Sequence, residues 1–421
     1  MKVFKFGGAS VKDSAAVRNV ASILAKYRGE KLIVVVSAMG KSTNKLEEIV
    51  AAEQEKNVGR FTALVNELYD FHIAILGELF TEKHFKIYNE IEGIFEQIRE
   101  RFHKPFPENY SFEYDQIVSL GEVISSKIIS AYLFEQGFSS GWADSRELVR
   151  TNNQYQEGKV DWEKTEEMVK SKLITQFSTT DIVITQGFVG HTPEGFTTTL
   201  GREGSDYTAG IYAYCSDAES VTIWKDVPGM LNADPKYFSD TVKLDQISFK
   251  EAIELSYYGA SVIHPKTIKP LQNKGIPLFV KSFIHPDEPG TIIQESTDQD
   301  NLVPSFIVKK DQVLFSIRPT DFSFIAEENL SDIFNRLAAA GLKINVMQNS
   351  ALSFSILLDQ KKANPELVKS IFGTHYKVWY NDELELVTIR HYDQKTIDLV
   401  TNGKTIILEQ RTRQTIRLIL Q

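Results

Sequence analysis

Residues 197–206, Thr-Thr-Thr-Leu-Gly-Arg-Glu-Gly-Ser-Asp (TTTLGREGSD), decide the fold predicted for this chain. The alternation over 196–200 is typical of a half-buried strand, and the two glycines that follow permit backbone angles that bulkier residues resist. The last two residues, Ser205 and Asp206, head an apolar-periodic run, where they suit a helix N-cap. A strand that turns through glycines into a helix directs backbone N–H groups at one place and favours anions there, and Arg202 adds a fork for a carboxylate. By itself, the stretch fits an ordinary strand-to-helix connection equally well.

The bulk composition excludes several classes of protein. A chain of 421 residues, 42% hydrophobic and 24% charged, is typical of a globular protein of roughly two or three domains. The net charge of −9, without a dense run of basic residues, argues against a nucleic-acid partner. The single cysteine, Cys215, excludes an internal disulfide. No signal peptide is evident and no apolar run approaches the ~18 residues of a membrane span, so we expect a cytoplasmic protein with no membrane partner.

The first part of the chain alternates strands and helices. Buried-strand patterns occur at 3–6, 32–36, 181–185 and 220–224, and a long amphipathic helical series covers about 61–102. This order predicts an α/β fold with a mostly parallel sheet covered by helices. Because ligands bind at the carboxyl edge of such sheets, we expect the polar loops after these strands to form one site.

The last part of the chain has a different rhythm. Residues 286–301 are polar and rich in turn residues, which places a domain boundary there. Beyond it, short strands and helices form two βαββ series that suggest a weak internal repeat.

Three side chains outside the opening stretch are candidates for chemistry. Lys5 precedes paired glycines and fits a cation beside phosphate oxygens, although a lysine extending from a strand end is the ordinary alternative. Glu122 is framed by small residues, which suggests a pocket for an ammonium group rather than a solvated helix face. Asp226 fits either a turn or a contact to a ribose or metal. The absence of a P-loop indicates a phosphate site of another kind, and the absence of a dinucleotide fingerprint argues against a dinucleotide enzyme. The histidines show no ligand spacing, so we predict no protein-built metal site.

An ordered set of motifs between Lys5 and Pro265 resembles the monofunctional aspartate kinases of the amino-acid kinase family. The motifs are 5–10 (KFGGAS), 37–44 (SAMGKSTN), 121–122 (GE), 185–188 (TQGF), 199–208 (TLGREGSDYT), 224–235 (WKDVPGMLNADP) and 258–265 (YGASVIHP). The resemblance implies a catalytic domain over 1–297, followed by two ACT-like βαββ regulatory units. It further implies that one unit, 312–382, is inserted into a shortened second unit made of 298–311 and 383–421.

The resemblance also implies an activity: transfer of phosphate from ATP, with Mg²⁺, to the side-chain carboxylate of L-aspartate, the first step toward lysine, threonine and methionine. At matching positions Lys5 would stabilise the transferring phosphoryl group and Asp206 would orient Lys5. Arg202 would clamp the substrate α-carboxylate and Glu122 its α-ammonium group. The other residues implied for the aspartate pocket are Thr43 and Ser205. Those implied for the nucleotide are Lys5, Gly7, Gly8, Ser37, Lys225, Asp226, Leu231, Lys236 and Ser261.

Three positions depart from the family pattern. Glu203 replaces a glycine and adds negative charge beside a site for anions. Ser261 stands where many relatives have a phosphate-contacting lysine, for which Lys266 or Lys236 could substitute. Leu231 replaces a tyrosine often found near the nucleotide.

The ACT-like units imply regulation and assembly. Family enzymes commonly bind lysine or threonine between ACT units of a dimer, so we expect a homodimer inhibited by lysine or, alternatively, threonine, with Met347, Asn349 and Ser350 near the effector. The alternatives are a shortened second unit that serves only dimerisation, a kinase acting on glutamate or acetylglutamate, and a non-catalytic amino-acid-sensing homologue.

Overall fold

The computed structural model describes residues 1–80, 85–260, 263–321, 323–373 and 375–421. Its backbone groups into two compact units. The first comprises Met1–Met230, Lys243–Tyr257 and the described part of Ser261–Asp300; the second comprises Leu231–Val242, Tyr258–Ala260 and the described part of Asn301–Gln421.

The first unit is built on an eight-stranded sheet in the order β3-β4-β2-β1-β7-β9-β10-β8, in which only the β9–β10 pair is antiparallel. The strands are β1 Lys2–Phe6, β2 Leu32–Val36, β3 Ser140–Ala143, β4 Ile182–Gln186, β7 Ser220–Lys225, β8 Gln246–Ser248, β9 Leu278–Ser282 and β10 Thr291–Gln294. A separate hairpin pairs β5 (Val189–His191) with β6 (Thr197–Thr199). Because every residue of β2 is buried, both faces of the sheet centre are covered, as predicted for parallel strands.

The helices of this part of the chain are α1 Ser14–Ala25, α2 Ser42–Gln54, α3 Val58–Leu79, α4 Phe85–Arg101, α5 Tyr110–Val118, α6 Leu120–Glu135, α7 Trp162–Met168, α8 Gly204–Cys215, α9 Phe249–Tyr258 and α10 Pro265–Lys274. Within the predicted helical series 61–102, the chain leaves the helix at Phe80 (φ −122°, ψ 146°). The series therefore forms two helices, and the aromatic pairs Tyr69–Phe95 and Phe61–Phe102, with ring centroids 5.2 and 4.6 Å apart, join them side by side. The periodicity was informative about the apolar faces but not about the break between them.

Helices α5 and α6 correct one expectation from the sequence. Together, Tyr110–Glu135 is the single described helical stretch long and apolar enough to cross a membrane, and 78% of its apolar window is buried inside the protein. That burial is typical of a core helix.

The second unit is built on one six-stranded antiparallel sheet, in the order β12-β13-β11-β14-β16-β15. Its elements are β11 Ser305–Pro319, α11 Glu327–Ala339, β12 Val346–Asn349, β13 Phe354–Asp359, α12 Pro365–Phe372, β14 Tyr376–Arg390, α13 Gln394–Thr401, β15 Ile406–Arg411 and β16 Thr415–Leu420. Two of these strands, β11 and β14, pair along most of their 15-residue lengths and so run through both predicted βαββ series. The α+β architecture is as predicted, but the two series share one sheet.

Strand β10 lies in the stretch 286–301 that the sequence assigned to a boundary. It pairs with β8 and β9 of the first unit. Its short Thr-Ile-Ile-Gln sequence is enclosed by turn residues, which hid the strand from periodicity analysis.

Candidate active site

The parallel register brings four loops to one edge of the sheet. Phe6, the last residue of β1, is paired with Val36 on one side and Trp224 on the other, and Val36 is paired in turn with Gln186. The residues that follow these strand ends therefore emerge together, as the sequence predicted from the topology.

A cavity of about 560 Å³ lies at this edge, entirely within the first unit. The predicted site residues that line it are Lys5, Gly8, Ser37, Thr43, Glu122, Arg202, Ser205, Asp206 and Lys225. Residues separated by more than 200 positions in the chain thus line one open cleft.

One carboxylate holds two ammonium groups at the floor of the cavity. Asp206 is 3% exposed, and its two oxygens lie 2.6 Å from Nζ of Lys5 and 3.4 Å from Nζ of Lys225. Burial alone would raise the pKa of Asp206, but the two lysines hold it below its ordinary value. The three groups carry a net charge of +1, which suits the anionic group of a transferring phosphate.

Glu122 provides a second, differently poised carboxyl group. It is 3% exposed, and its Oε1 accepts a hydrogen bond of 3.2 Å from the backbone N–H of Ala38. Its Oε2 is buried and accepts no hydrogen bond from the described residues. Burial raises the pKa of Glu122 to about 8, against the opposing effects of the Ala38 N–H and the Lys5 charge. A cationic ligand group would satisfy the bare oxygen and favour the ionised form.

The turn that opens this site differs in detail from the prediction. Helix α8 begins at Gly204, and its N-cap is Glu203 in the left-handed region (φ 54°), without a side-chain cap. Ser205 and Asp206 were expected to cap the helix, which is wrong: they lie inside its first turn, with their side chains turned to the cavity. Arg202, one residue before the cap, is exposed, and no hydrogen bond or ion pair to the described residues engages its guanidinium group.

Close backbone approach explains two glycines of this site. A Cβ on Gly8 would lie 2.9 Å from the carbonyl oxygens of both Ala38 and Gly40. A Cβ on Gly187 would lie 2.5 Å from Cβ of Ser205. The first glycine lets the loops after β1 and β2 meet, and the second lets the turn after β4 meet the start of α8.

Asp115 was not singled out from the sequence, and it holds two residues that line the cavity, Gln156 and Thr199. Asp115 lies within α5 and is fully buried. Its carboxylate accepts hydrogen bonds from the N–H and Oγ1 of Thr199 (2.9 and 2.6 Å) and from the N–H of Gln156 (2.9 Å). Its spacing of seven residues from Glu122, two helical turns, was the available signal. The lining also includes residues that were not predicted, Glu47, Tyr114, Gln156, Glu157, Phe188 and Thr199, and it includes Glu203, which the sequence placed beside the anion site.

Several predicted nucleotide residues are not among those lining the cavity. Gly7 is beside it, since a Cβ there would lie 3.3 Å from Nζ of Lys5, whereas Asp226 follows the end of β7. Leu231 and Lys236 fall in the second unit, and Ser261 lies outside the described residues.

Two further predictions concern the lysine substitute and the effector. Nζ of Lys266 lies 3.7 Å from the place of a Cβ on Gly201, so this cation is close to the turn that lines the cavity. Met347 is 53% exposed on β12, Asn349 ends that strand, and Ser350 follows it, all in the second unit.

The fold and the cavity together define a phosphotransferase that acts on a small molecule carrying both acidic and basic groups. A family model described as "Amino acid kinase family" matches residues 1–282. The chain belongs to the amino acid kinase family, and within it to the aspartokinases.

Relatives and solved structures agree on this placement. The chain is similar to the lysine-sensitive aspartokinase 3 of Escherichia coli, with 32% identity over 85% of this chain and 78% of the relative. It is also similar to the chloroplastic aspartokinase 3 of Arabidopsis thaliana, with 31% identity over 98% of this chain and 74% of the relative.

The structural match covers the whole chain. The crystal structure of E. coli aspartokinase III with aspartate and ADP superposes with a TM-score of 0.83 at 27% identity, over 100% of this chain and 96% of that one. The structure of the same enzyme with lysine and aspartate superposes with a TM-score of 0.84 at 27% identity, over 100% of this chain and 95% of that one.

Proposed function

We propose that this aspartokinase transfers the γ-phosphoryl group of ATP to the side-chain carboxylate of L-aspartate, forming 4-phospho-L-aspartate and ADP. The observation that carries the proposal is that one cavity is lined by two groups without partners among the described residues. These are the carboxylate oxygen Oε2 of Glu122 and the guanidinium group of Arg202. These two groups match the α-ammonium and α-carboxylate of an amino acid, and Thr43 and Ser205 lie in the same lining.

The chemistry requires no general base. The attacking oxygen belongs to a carboxylate whose pKa is ~3.9, so it is already ionised at neutral pH. That oxygen bonds to the γ-phosphorus while the bond to the β-phosphate oxygen breaks, and ADP leaves with the electron pair. Catalysis then consists of holding two anions in line and offsetting their repulsion. Lys5 and Lys225, both held by Asp206, supply that positive charge.

The nucleotide would enter beside the backbone of Gly7, Gly8 and Ser37, with Lys225, Asp226, Leu231, Lys236 and Ser261 as the remaining proposed contacts. Mg²⁺ would accompany the ATP phosphates, as in other phosphoryl-transfer enzymes. A relative solved with aspartate and ADP supports the nucleotide and the substrate.

An assay of ADP release with aspartate, glutamate and homoserine tests the proposed activity. We expect ADP release with aspartate and at most a small fraction of that rate with the other two. A faster rate with glutamate would indicate another amino-acid kinase. The absence of turnover with all three acceptors would favour a non-catalytic amino-acid sensor.

We further propose that the second unit binds lysine as a feedback effector, near Met347, Asn349 and Ser350, in a homodimer formed through the ACT-like units. The proposed bounds are 312–382 for the inserted unit, 298–311 with 383–421 for the other, and 1–297 for the catalytic domain. The lysine sensitivity of the E. coli relative supports the effector, and a cytoplasmic location is part of the same proposal. Sedimentation analysis tests the dimer, and a monomer at micromolar concentration would contradict it.

A further inference from the structure

A second cavity, of about 380 Å³, lies entirely within the second unit. It is enclosed by the segment 231–242, by strands β11 and β14, and by the end of α13. It shares no lining residue with the catalytic cavity and does not include the residues proposed for the lysine effector.

One end of this cavity is a charged triad. Glu385 of β14 is 7% exposed, and its two carboxylate oxygens each form an ion pair with one lysine, Lys310 and Lys404. Burial alone would raise the pKa of Glu385, but hydrogen bonds from the two lysines hold it below its ordinary value. The triad therefore contains two cations and one anion, a net charge of +1 inside a partly enclosed space.

Both lysines retain capacity for a further anion. Each ammonium group has three N–H donors, while Glu385 engages one oxygen per lysine. The lysine side chains are 46% and 38% exposed, so a ligand can reach them without displacing Glu385.

The rest of the lining combines an apolar wall with the polar side chains of Asn232, Tyr237, Ser239, Asp240 and Asn402. Phe238 and Phe306 pack with ring centroids 5.0 Å apart, and Val308, Val387 and Val400 continue the wall. Leu399 also lines the cavity with 62% of its surface exposed, which is unusual for a large aliphatic side chain.

We propose that this cavity binds a small organic carboxylate with a compact apolar body. A single negative charge neutralises the triad, and the hydrocarbon body removes the aromatic and aliphatic wall from water. A free carboxylic acid and an apolar α-amino acid share this chemistry. Only the amino acid has an ammonium group. Asp240, an exposed carboxylate that also lines the cavity, is available to pair with it.

Calorimetric and thermal-shift titration of the full chain tests the site, at matched ionic strength. The probes are 4-methylpentanoate, leucine, the neutral 4-methylpentanamide, and acetate as an anion without a body. We expect saturable binding of 4-methylpentanoate and little response to the amide or acetate. Tighter binding of leucine would support the site and identify an amino acid as its ligand.

Two variants locate the binding. Lys404→Gln removes one cation of the triad and should weaken binding at least tenfold, whereas Lys395→Gln, an exposed lysine on α13 outside the cavity, should not change it. Leu399→Trp should block the cavity while leaving both lysines and the fold intact, because Leu399 is exposed. Any one of three results would overturn the proposal. These are equal binding of 4-methylpentanoate and its amide, unchanged affinity in both Lys404→Gln and Leu399→Trp, or no binding of 4-methylpentanoate or leucine at millimolar concentration.

Discussion

At the scale of single residues, the catalytic cavity contains two buried carboxyl groups with opposite environments. Asp206 is held by two lysines, whereas Glu122 has one hydrogen bond and a bare oxygen. Neighbouring charge lowers the pKa of the first, and burial raises the pKa of the second to about 8. We therefore expect the two carboxyl groups to serve different roles, one orienting cations and one receiving a cation.

Glu122→Gln should stabilise the folded protein while weakening the binding of aspartate. In the native enzyme the raised pKa means that Glu122 keeps a proton that the unfolded chain releases near pH 4.5, so this residue's contribution to stability falls as pH rises toward 8. Glutamine removes the buried charge, and we expect it to raise the free energy of unfolding by about 1–3 kcal/mol at pH 8. Denaturant unfolding at pH 5 and pH 8 measures the difference, which should grow with pH.

The same carboxyl group should govern the pH dependence of substrate capture. Because only ionised Glu122 can pair with the substrate ammonium group, kcat/KM for aspartate should rise with pH up to about 8. In Glu122→Gln this rise should disappear and KM for aspartate should increase strongly. An unaltered pH profile in the variant would contradict the role of Glu122.

Lys5→Ala should mainly lower turnover. Lys5 is the cation closest to Asp206, and its proposed role is to offset charge on the transferring phosphoryl group, so we expect kcat to fall by roughly 10²–10³-fold. Steady-state kinetics with aspartate and ATP measure this loss. Lys2→Ala on the same strand is the matched control, since Lys2 pairs with Glu30 at the other end of β1. Turnover equal to that of the parent enzyme would refute the role of Lys5.

At the scale of elements, the site depends on where strands and helices are tied together. Hydrogen bonds to Asp115 join α5 to Thr199 of β6 and to the loop at Gln156. Strand β6 comes shortly before the turn that carries Arg202. Asp115 is the acceptor in all three hydrogen bonds, so the ionised carboxylate is the form that holds the turn. Burial raises the pKa of Asp115 to about 6, and the hydrogen bonds oppose that rise.

Asp115→Asn should weaken the hydrogen bonds to Thr199 and Gln156 without removing a group that contacts substrate. The amide has one acceptor oxygen, so at least one donor loses its partner, at a cost of about 1.5–3 kcal/mol. We expect KM for aspartate to rise roughly ten- to a hundredfold, with a smaller change in kcat. Kinetics over pH 5–8 check this, because the parent enzyme should lose aspartate affinity below about pH 6 and the variant should not show that step. Asp70→Asn, on the exposed face of α3, serves as the control.

Glu203 combines an unusual backbone with an unusual charge. It has φ 54°, lines the cavity, and its Oε2 is buried without a hydrogen bond from the described residues. Glu203→Gln removes only the charge and should lower KM for both anionic substrates. Glu203→Gly should do the same and should also relieve backbone strain of ~1 kcal/mol. Parallel kinetics and thermal unfolding of the two variants distinguish the effects, and higher KM values in both would show that the carboxylate assists binding.

At the scale of the whole molecule, each compact unit holds its own cavity. The first contains the catalytic cavity. The second contains the cavity lined by Lys310, Glu385 and Lys404, and also the proposed effector residues. The shared strands β11 and β14 join both βαββ series in one sheet, so a ligand on one series changes the stability of the whole second unit.

Lysine should therefore raise the melting temperature of the full chain, and threonine should not. Ligand bound only by the folded state stabilises it in proportion to the logarithm of its concentration. Asn349→Ala should abolish the lysine response while leaving turnover without lysine unchanged. A lack of stabilisation by lysine up to millimolar concentrations would refute the effector assignment without affecting the kinase proposal.

The sequence by itself determined the main parallel strands of the first unit, the carboxyl-edge location of the site, and the chemical identity of Lys5, Glu122, Arg202 and Asp206. These follow from local patterns, because a buried strand, a glycine turn and a polar residue after a strand are each encoded within a few neighbouring residues.

Only the tertiary structure decided how those residues are poised. The partnership of Asp115 with Thr199 joins residues 84 positions apart, and the bare oxygen of Glu122 results from burial by several elements at once. The triad of Lys310, Glu385 and Lys404 likewise forms only when β11, β14 and the turn after α13 meet. Burial and hydrogen-bond partners are properties of the packed chain, and no local window of sequence contains them.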